Sequence, residues 1–187
     1  MRLSPSASRN GRGAERCSAC RRGLGVSEHL RAVYSSLPLA GAAHIVDAAI
    51  AARIKEGLLP LAVAVIDAGG NLVAFKREDG CGVLRFDIAF GKAWAALGMG
   101  VPTRLIRDRL AGRPAFLGAL AAASDGRFIP VPGGVLILSP DGQAIGAVGI
   151  SGDASDKDEY CAIAAIKAAG YGSDPAEPSV QWREAGL

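Results

Sequence analysis

The chain has 187 residues, half of them hydrophobic and only 5% aromatic, enough for one aliphatic, alanine-rich core. Its 25 glycines recur at turns without a fixed period, which excludes a collagen-like polymer. The net charge of +3 is unevenly placed: residues 1–36 hold seven arginines and two glutamates, leaving −2 for the rest, so the basic balance argues for no nucleic-acid partner of the following domain.

Residues 1–36 are expected to be a disordered basic extension. Their Arg/Ser-rich, acid-poor character is that of a transit peptide, an unstructured extension or a mis-assigned start. The segment lacks the apolar core of a secretory signal, and no run of the chain approaches the roughly 20 apolar residues of a bilayer span. No membrane partner is expected, and the cytoplasm is the default location. Cys17 and Cys20 form a CxxC pair. A structural zinc site needs four ligands and no second pair stands at a suitable spacing. The pair also does not follow a strand and open a helix, as a thioredoxin-type motif would, so it reads as incidental.

Order is expected from Leu37. Leu39 to Lys55 reads as a helix with Val46, Ile50 and Ile54 on its inner stripe. Leu61 to Asp67 is a buried strand, Gly69-Gly70-Asn71 a turn, and Leu72 to Arg77 the returning strand of a hairpin. Val83 to Gly98 predicts a second helix that carries Phe86, Phe90, Ala93, Trp94 and Leu97 inward. Thr103 is placed to N-cap a third, reaching about Leu110. Residues 113–133, punctuated by prolines, read as irregular with one further strand. Val135 to Leu138 and Gln143 to Ile150 flank Ser139-Pro140-Asp141-Gly142, a second hairpin. Ser155 and Asp158 suit a capping box for the last helix, with acids at its positive end, Ile163, Ile166 and Ala169 inward, and Gly170 at its close. Residues 173–187 read as a C-terminal tail. The resulting class is α+β, a mostly antiparallel sheet of about five strands flanked by helices, in one domain over residues 37–172.

Four segments resemble the GlcG/HbpS family, the heme-binding or heme-degrading domain to which the C-terminal domain of PduO-type proteins is similar. They are Val63 to Val73 (Val-Ala-Val-Ile-Asp-Ala-Gly-Gly-Asn-Leu-Val), Ile88 to Ala93 followed by Met99 to Thr103, Phe128 to Val135, and Gly146 to Gly152 followed by Asp158-Glu159. Phe86 before Asp87 and the Pro130-Val131-Pro132 run depart from the family pattern. The resemblance implies a profilin-like fold, homo-oligomers that are often octamers, and in some members heme binding or slow heme degradation. Other members accompany small organic-acid pathways, so the family alone does not fix the chemistry.

A heme needs an apolar slot and an axial ligand from His, Cys, Tyr or Met. His44 is the one histidine after residue 36. On its helix it shares a polar side with Asp47, where it reads either as a solvent-facing residue or as a metal ligand oriented by a carboxylate. Arg85 and Lys92 stand seven apart and point the same way, either snorkelling to water or forming a cationic end for a carboxylate or propionate. Gly133 and Gly134 permit close backbone approach, for a turn or for a ligand. Asp158 and Glu159 read as helix-start stabilisers, and Cys81 and Cys161 have no visible base partner. No Ser-His-Asp set, phosphate loop or HExxH motif can be assembled. The leading expectation is a heme-binding homo-oligomer, redox-sensing or weakly heme-degrading. The alternatives are a protein acting on a small organic acid through Arg85 and Lys92, or a structural oligomer without a ligand.

Overall fold

The computed structural model describes residues 31–187. The Cys17–Cys20 pair, and the basic extension up to residue 30, lie outside them. Residues 31–34 lack regular structure, and Ser35–Leu187 form one compact unit. In chain order this unit holds α1 (Leu39–Glu56), β1 (Ala62–Asp67), β2 (Leu72–Arg77), α2 (Arg85–Met99), α3 (Thr103–Leu110) and α4 (Pro114–Ala123). Then follow β3 (Gly134–Leu138), β4 (Ala144–Ser151), α5 (Ser155–Ala168), β5 (Gly172–Asp174) and a terminal 3-10 turn (Trp182–Glu184). The strands form one antiparallel sheet in the order β2-β1-β4-β3-β5, flanked by helices, which is the α+β class expected from the sequence.

Helices cover both faces, so the central strands are apolar on both sides and read as continuous hydrophobic runs. Val63, Val65, Val135, Ile137, Val148 and Ile150 pack under α1 and α5. Ala62, Ala64, Ile66, Leu136 and Ala147 face α2. The inner stripe of α1 is Ala42, Ile45, Val46 and Ala49, whereas Ile54 is 61% exposed. The expected i+4 row through Ile54 drifts off the helix face, and the smaller row one step away makes the contact.

The second helix departs further. Ala89, Gly91, Lys92, Ala93, Ala95 and Ala96 are buried, while Phe86, Phe90, Trp94 and Leu97 lie on the flanks. The cause is Gly149 of β4, where a Cβ would overlap the Ala89 carbonyl oxygen and stand 2.7 Å from the Ala93 nitrogen. Helix and strand approach so closely that only small residues fit between them, and the aromatic rings are pushed aside.

Residues 113–133 contain a helix rather than a strand. Pro114 occupies its first turn, where the missing N–H costs nothing. The fifth strand is instead β5, paired with β3 at Leu136 to Leu138. The residues after it are packed as well. Trp182 is buried and its ring stacks on Tyr160 at 3.8 Å.

Candidate functional site

Helix α2 crosses β4 and carries Lys92 past the strand's C-terminal end. Its Nζ donates to the Ile150 carbonyl and to Asp158 Oδ2, each at 2.8 Å. Both side chains of this ion pair are 1% exposed. Asp158 sits in the first turn of α5, and its other oxygen accepts the Asp153 N–H at 3.1 Å. Burial pushes the Asp158 carboxyl up to about 6 against the pull of Lys92, and pushes the Lys92 ammonium down against the pull of Asp158. Desolvation opposes both charges, and the short, hydrogen-bonded geometry holds them together.

Gly133 and Gly134 close over this pair. Gly133 has φ +112°, and a Cβ there would stand 2.9 Å from Lys92 Nζ and 3.1 Å from Asp158 Cβ. Thr103 fixes the turn: its hydroxyl accepts the Gly134 N–H at 2.9 Å and donates to the Gly134 carbonyl at 3.2 Å. Thr103 is therefore the clamp of the glycine turn and not the expected cap of α3, whose N-cap is Pro102. Ser155 likewise makes no cap for α5, which begins from Ala154. Asp158 reaches back to the N–H of Asp153, one residue before that N-cap, so the expected capping box does not form, and its second oxygen is taken by Lys92.

Arg85 lies at the same end of the sheet and donates to Ser151 Oγ at 3.2 Å. The structure thus brings together Arg85, Lys92, Gly133 and Gly134. Their joint cationic role is corrected in one respect, because the Lys92 charge is engaged inside the fold. Of the two cations only Arg85 reaches the surface. Next to it the rings of Phe75 and Phe86 meet edge-on at 4.7 Å, with Phe90 stacked 6.0 Å beyond. Val83 and Leu84 beside them are 82% and 63% exposed. An apolar, aromatic surface therefore adjoins a guanidinium.

His44 does not join this group. It is exposed on α1, on the opposite face of the sheet from α2. Its expected partner Asp47 pairs with Lys76 of β2 instead. Among the described residues no cluster of three or more His, Cys, Asp or Glu could hold a metal ion. Also among them, no helix is long and apolar enough to cross a membrane.

Asp158 and Glu159 are the residues that sequence reasoning undervalued. Both are buried, and Glu159 is wholly so, with Arg104 3.0 Å from its Oε1. A signal did exist. Lys92 shares the Ala89, Ala93 and Ala96 side of α2, and a lysine on an alanine-lined face needs a buried acid.

Residues 37–167 match the model of the family described as haem degrading protein HbpS-like. The chain belongs to the HbpS-like family. A protein of 15.0 kDa from the dhaT-dhaS intergenic region of Citrobacter freundii is 30% identical over 118 residues, 63% of this chain and 82% of that protein. The crystal structure of a PduOC–heme complex superposes with a TM-score of 0.66 at 27% identity, covering 74% of this chain and 98% of that one. A double mutant of Streptomyces reticuli HbpS gives 0.61 at 27% identity, with 89% and 97% covered. Heme is thus a ligand within the family to which these residues belong.

Proposed function

We propose that this chain binds heme. The observation that carries the reading is the likeness to a heme-complexed relative over 98% of that relative's length. The surface supports it. A porphyrin is a flat apolar ring with carboxylates at one edge, and Phe75, Phe86 and the exposed Val83 and Leu84 offer apolar side chains close in the chain or in space to Arg85. His44 is the candidate axial ligand, an exposed imidazole of a ligand type that heme iron takes. Because His44 and Arg85 lie on opposite sheet faces, one heme touching both would bridge two copies of the chain, which favours a homo-oligomer. Bound heme supplies iron-centred electron and oxygen chemistry. Redox sensing or slow heme degradation would follow from it. The rival reading, a small carboxylate held by Arg85 and Lys92, rests on Arg85 alone now that Lys92 is paired internally.

The test is a hemin titration of the full chain read by visible absorption, beside His44→Ala and Arg85→Ala. A saturable one-site Soret change, with the ligand-field bands altered in His44→Ala, is the expected result. Weaker binding in Arg85→Ala would assign the propionate contact. Absence of saturable binding would sink the proposal, and binding indifferent to His44→Ala would move the axial ligand elsewhere.

A further inference from the structure

Helix α4 breaks the pattern that the rest of the fold keeps. Its sequence, Pro-Ala-Phe-Leu-Gly-Ala-Leu-Ala-Ala-Ala, carries no charged or polar side chain, and none of its residues is buried. A surface helix turns a polar face to water, and one that is apolar all round is covered on every side. Leu117, Leu120 and Ala121 are half-buried, and the two leucines pack against Ile106, Leu110 and Phe128. The other side, with Ala115, Phe116, Ala119, Ala122 and Ala123, is exposed. It runs on into an apolar groove of about 180 Å³ whose walls include Trp94, Met99, Leu120, Ala123 and Phe128.

Charge stands only at the two ends of the helix. Arg113 immediately precedes it, and its guanidinium lies over the Phe116 ring, 4.6 Å from the centroid. Asp125 follows just after its end, with a side chain 89% exposed and Arg127 standing off at 3.7 Å. An apolar rod with a cation at one end and an anion at the other is complementary to its own antiparallel copy. In a two-fold pair centred near Ala119, each Arg113 meets the partner's Asp125. Each Phe116 then lies over the partner's Ala123, at the mouth of its groove. The small residues between them let the two helices approach closely. An anionic lipid surface matches less well, because it would repel Asp125.

We propose that α4 is a contact between two copies of this chain, paired antiparallel about a two-fold axis, with Phe116 at the partner's groove and Arg113 on the partner's Asp125. The groove lies toward the other end of α2 from Arg85, and the contact requires no heme. One helix with its adjoining groove is at the lower end of the area that lasting complexes bury, so a dissociation constant of about 1 μM is expected.

Sedimentation equilibrium of the heme-free full chain, across the micromolar range, tests this. Because no heme is present, its outcome is independent of the hemin titration. Arg113→Glu sets acid against acid at both ends, and Asp125→Arg sets arginine against arginine. Each should raise the dissociation constant of this step about tenfold or more, and Phe116→Ala should weaken it as well. The double variant Arg113→Glu with Asp125→Arg exchanges the two charges and should restore the wild-type assembly, which a defect in folding would not do. A wild-type chain that stays monomeric would overturn the proposal. So would single reversals that leave the mass unchanged, or a double reversal no better than either single one. Monomers that instead sediment with phosphatidylserine vesicles would give this face to lipid and overturn it equally.

Discussion

Asp158 and Glu159 are neighbours at the head of α5, and they look into two regions that treat a buried carboxylate in opposite ways. At the end of β4, Asp158 finds a lysine ammonium at 2.8 Å and a backbone N–H at 3.1 Å. The glycine turn closes over it without leaving room for a methyl group. On the side of α3, Glu159 finds the Arg104 guanidinium at 3.0 Å, a partner whose own side chain is 24% exposed. Burial raises both acids, to about 6 and about 7. The difference is closure. A buried carboxylate whose partner is also sealed from water depends wholly on that partner, whereas one whose partner reaches the surface is paired with a charge that water and salt still screen.

The largest effect should come from breaking the closed region. Lys92→Met strands Asp158 away from water, and about 3–5 kcal/mol of unfolding free energy is expected to go, measured by chemical denaturation. The double variant Lys92→Met with Asp158→Asn removes both charges while leaving an acceptor for the Asp153 N–H, and it should recover much of that loss. A single variant as stable as the wild type would mean that the pair does not close this end of the sheet.

The open region should show itself through pH. The Glu159 pKa rises from 4.5 to about 7 on folding, so the native chain binds its proton more tightly than the unfolded one. The stability this contributes is full below about 4.5 and is lost as pH rises through about 7, amounting to about 3 kcal/mol in all. Glu159→Gln cannot ionise and should flatten that part of the stability curve. If the wild-type curve is already flat between pH 4.5 and 7, the carboxyl is better solvated than its burial implies.

The contrast between regions also explains what could be read in the sequence. α1, the first hairpin, α3 and α5 announce themselves through local periodicity and turn residues. Leu72–Arg77 has the bounds expected of it, and α3 ends at the expected Leu110 while starting one residue early, at Thr103. The inner face of α2 was hidden because its contact residue, Gly149, lies on a strand formed nearly 60 residues later and rules out large side chains. Helix α4 was masked by prolines that read as breakers, one of which starts it. Strand β5 is Gly-Ser-Asp, a run without strand propensity, ordered only by pairing with β3. In the site, Arg85 and Lys92 were read as pointing one way and Gly133-Gly134 as a turn, and the packing of Gly133 against Lys92 was not visible locally. The partner of Lys92 stands 66 residues away, and that separation hid the internal use of its charge.

The smallest expected effect completes the comparison. Lys76 and Asp47 also form a lysine–aspartate pair, but their side chains are 56% and 59% exposed, against 1% for Lys92 and Asp158. Removing Lys76 leaves Asp47 in water, where it is solvated at once, so Lys76→Met should change stability by less than about 1 kcal/mol. Salt separates the two cases further. Raising ionic strength should erase what little the surface pair contributes, while the cost of Lys92→Met should barely change, because ions cannot enter the closed turn. A cost for Lys76→Met near that of Lys92→Met would show that contact distance governs these pairs, and that closure from water is not what divides the two regions of α5.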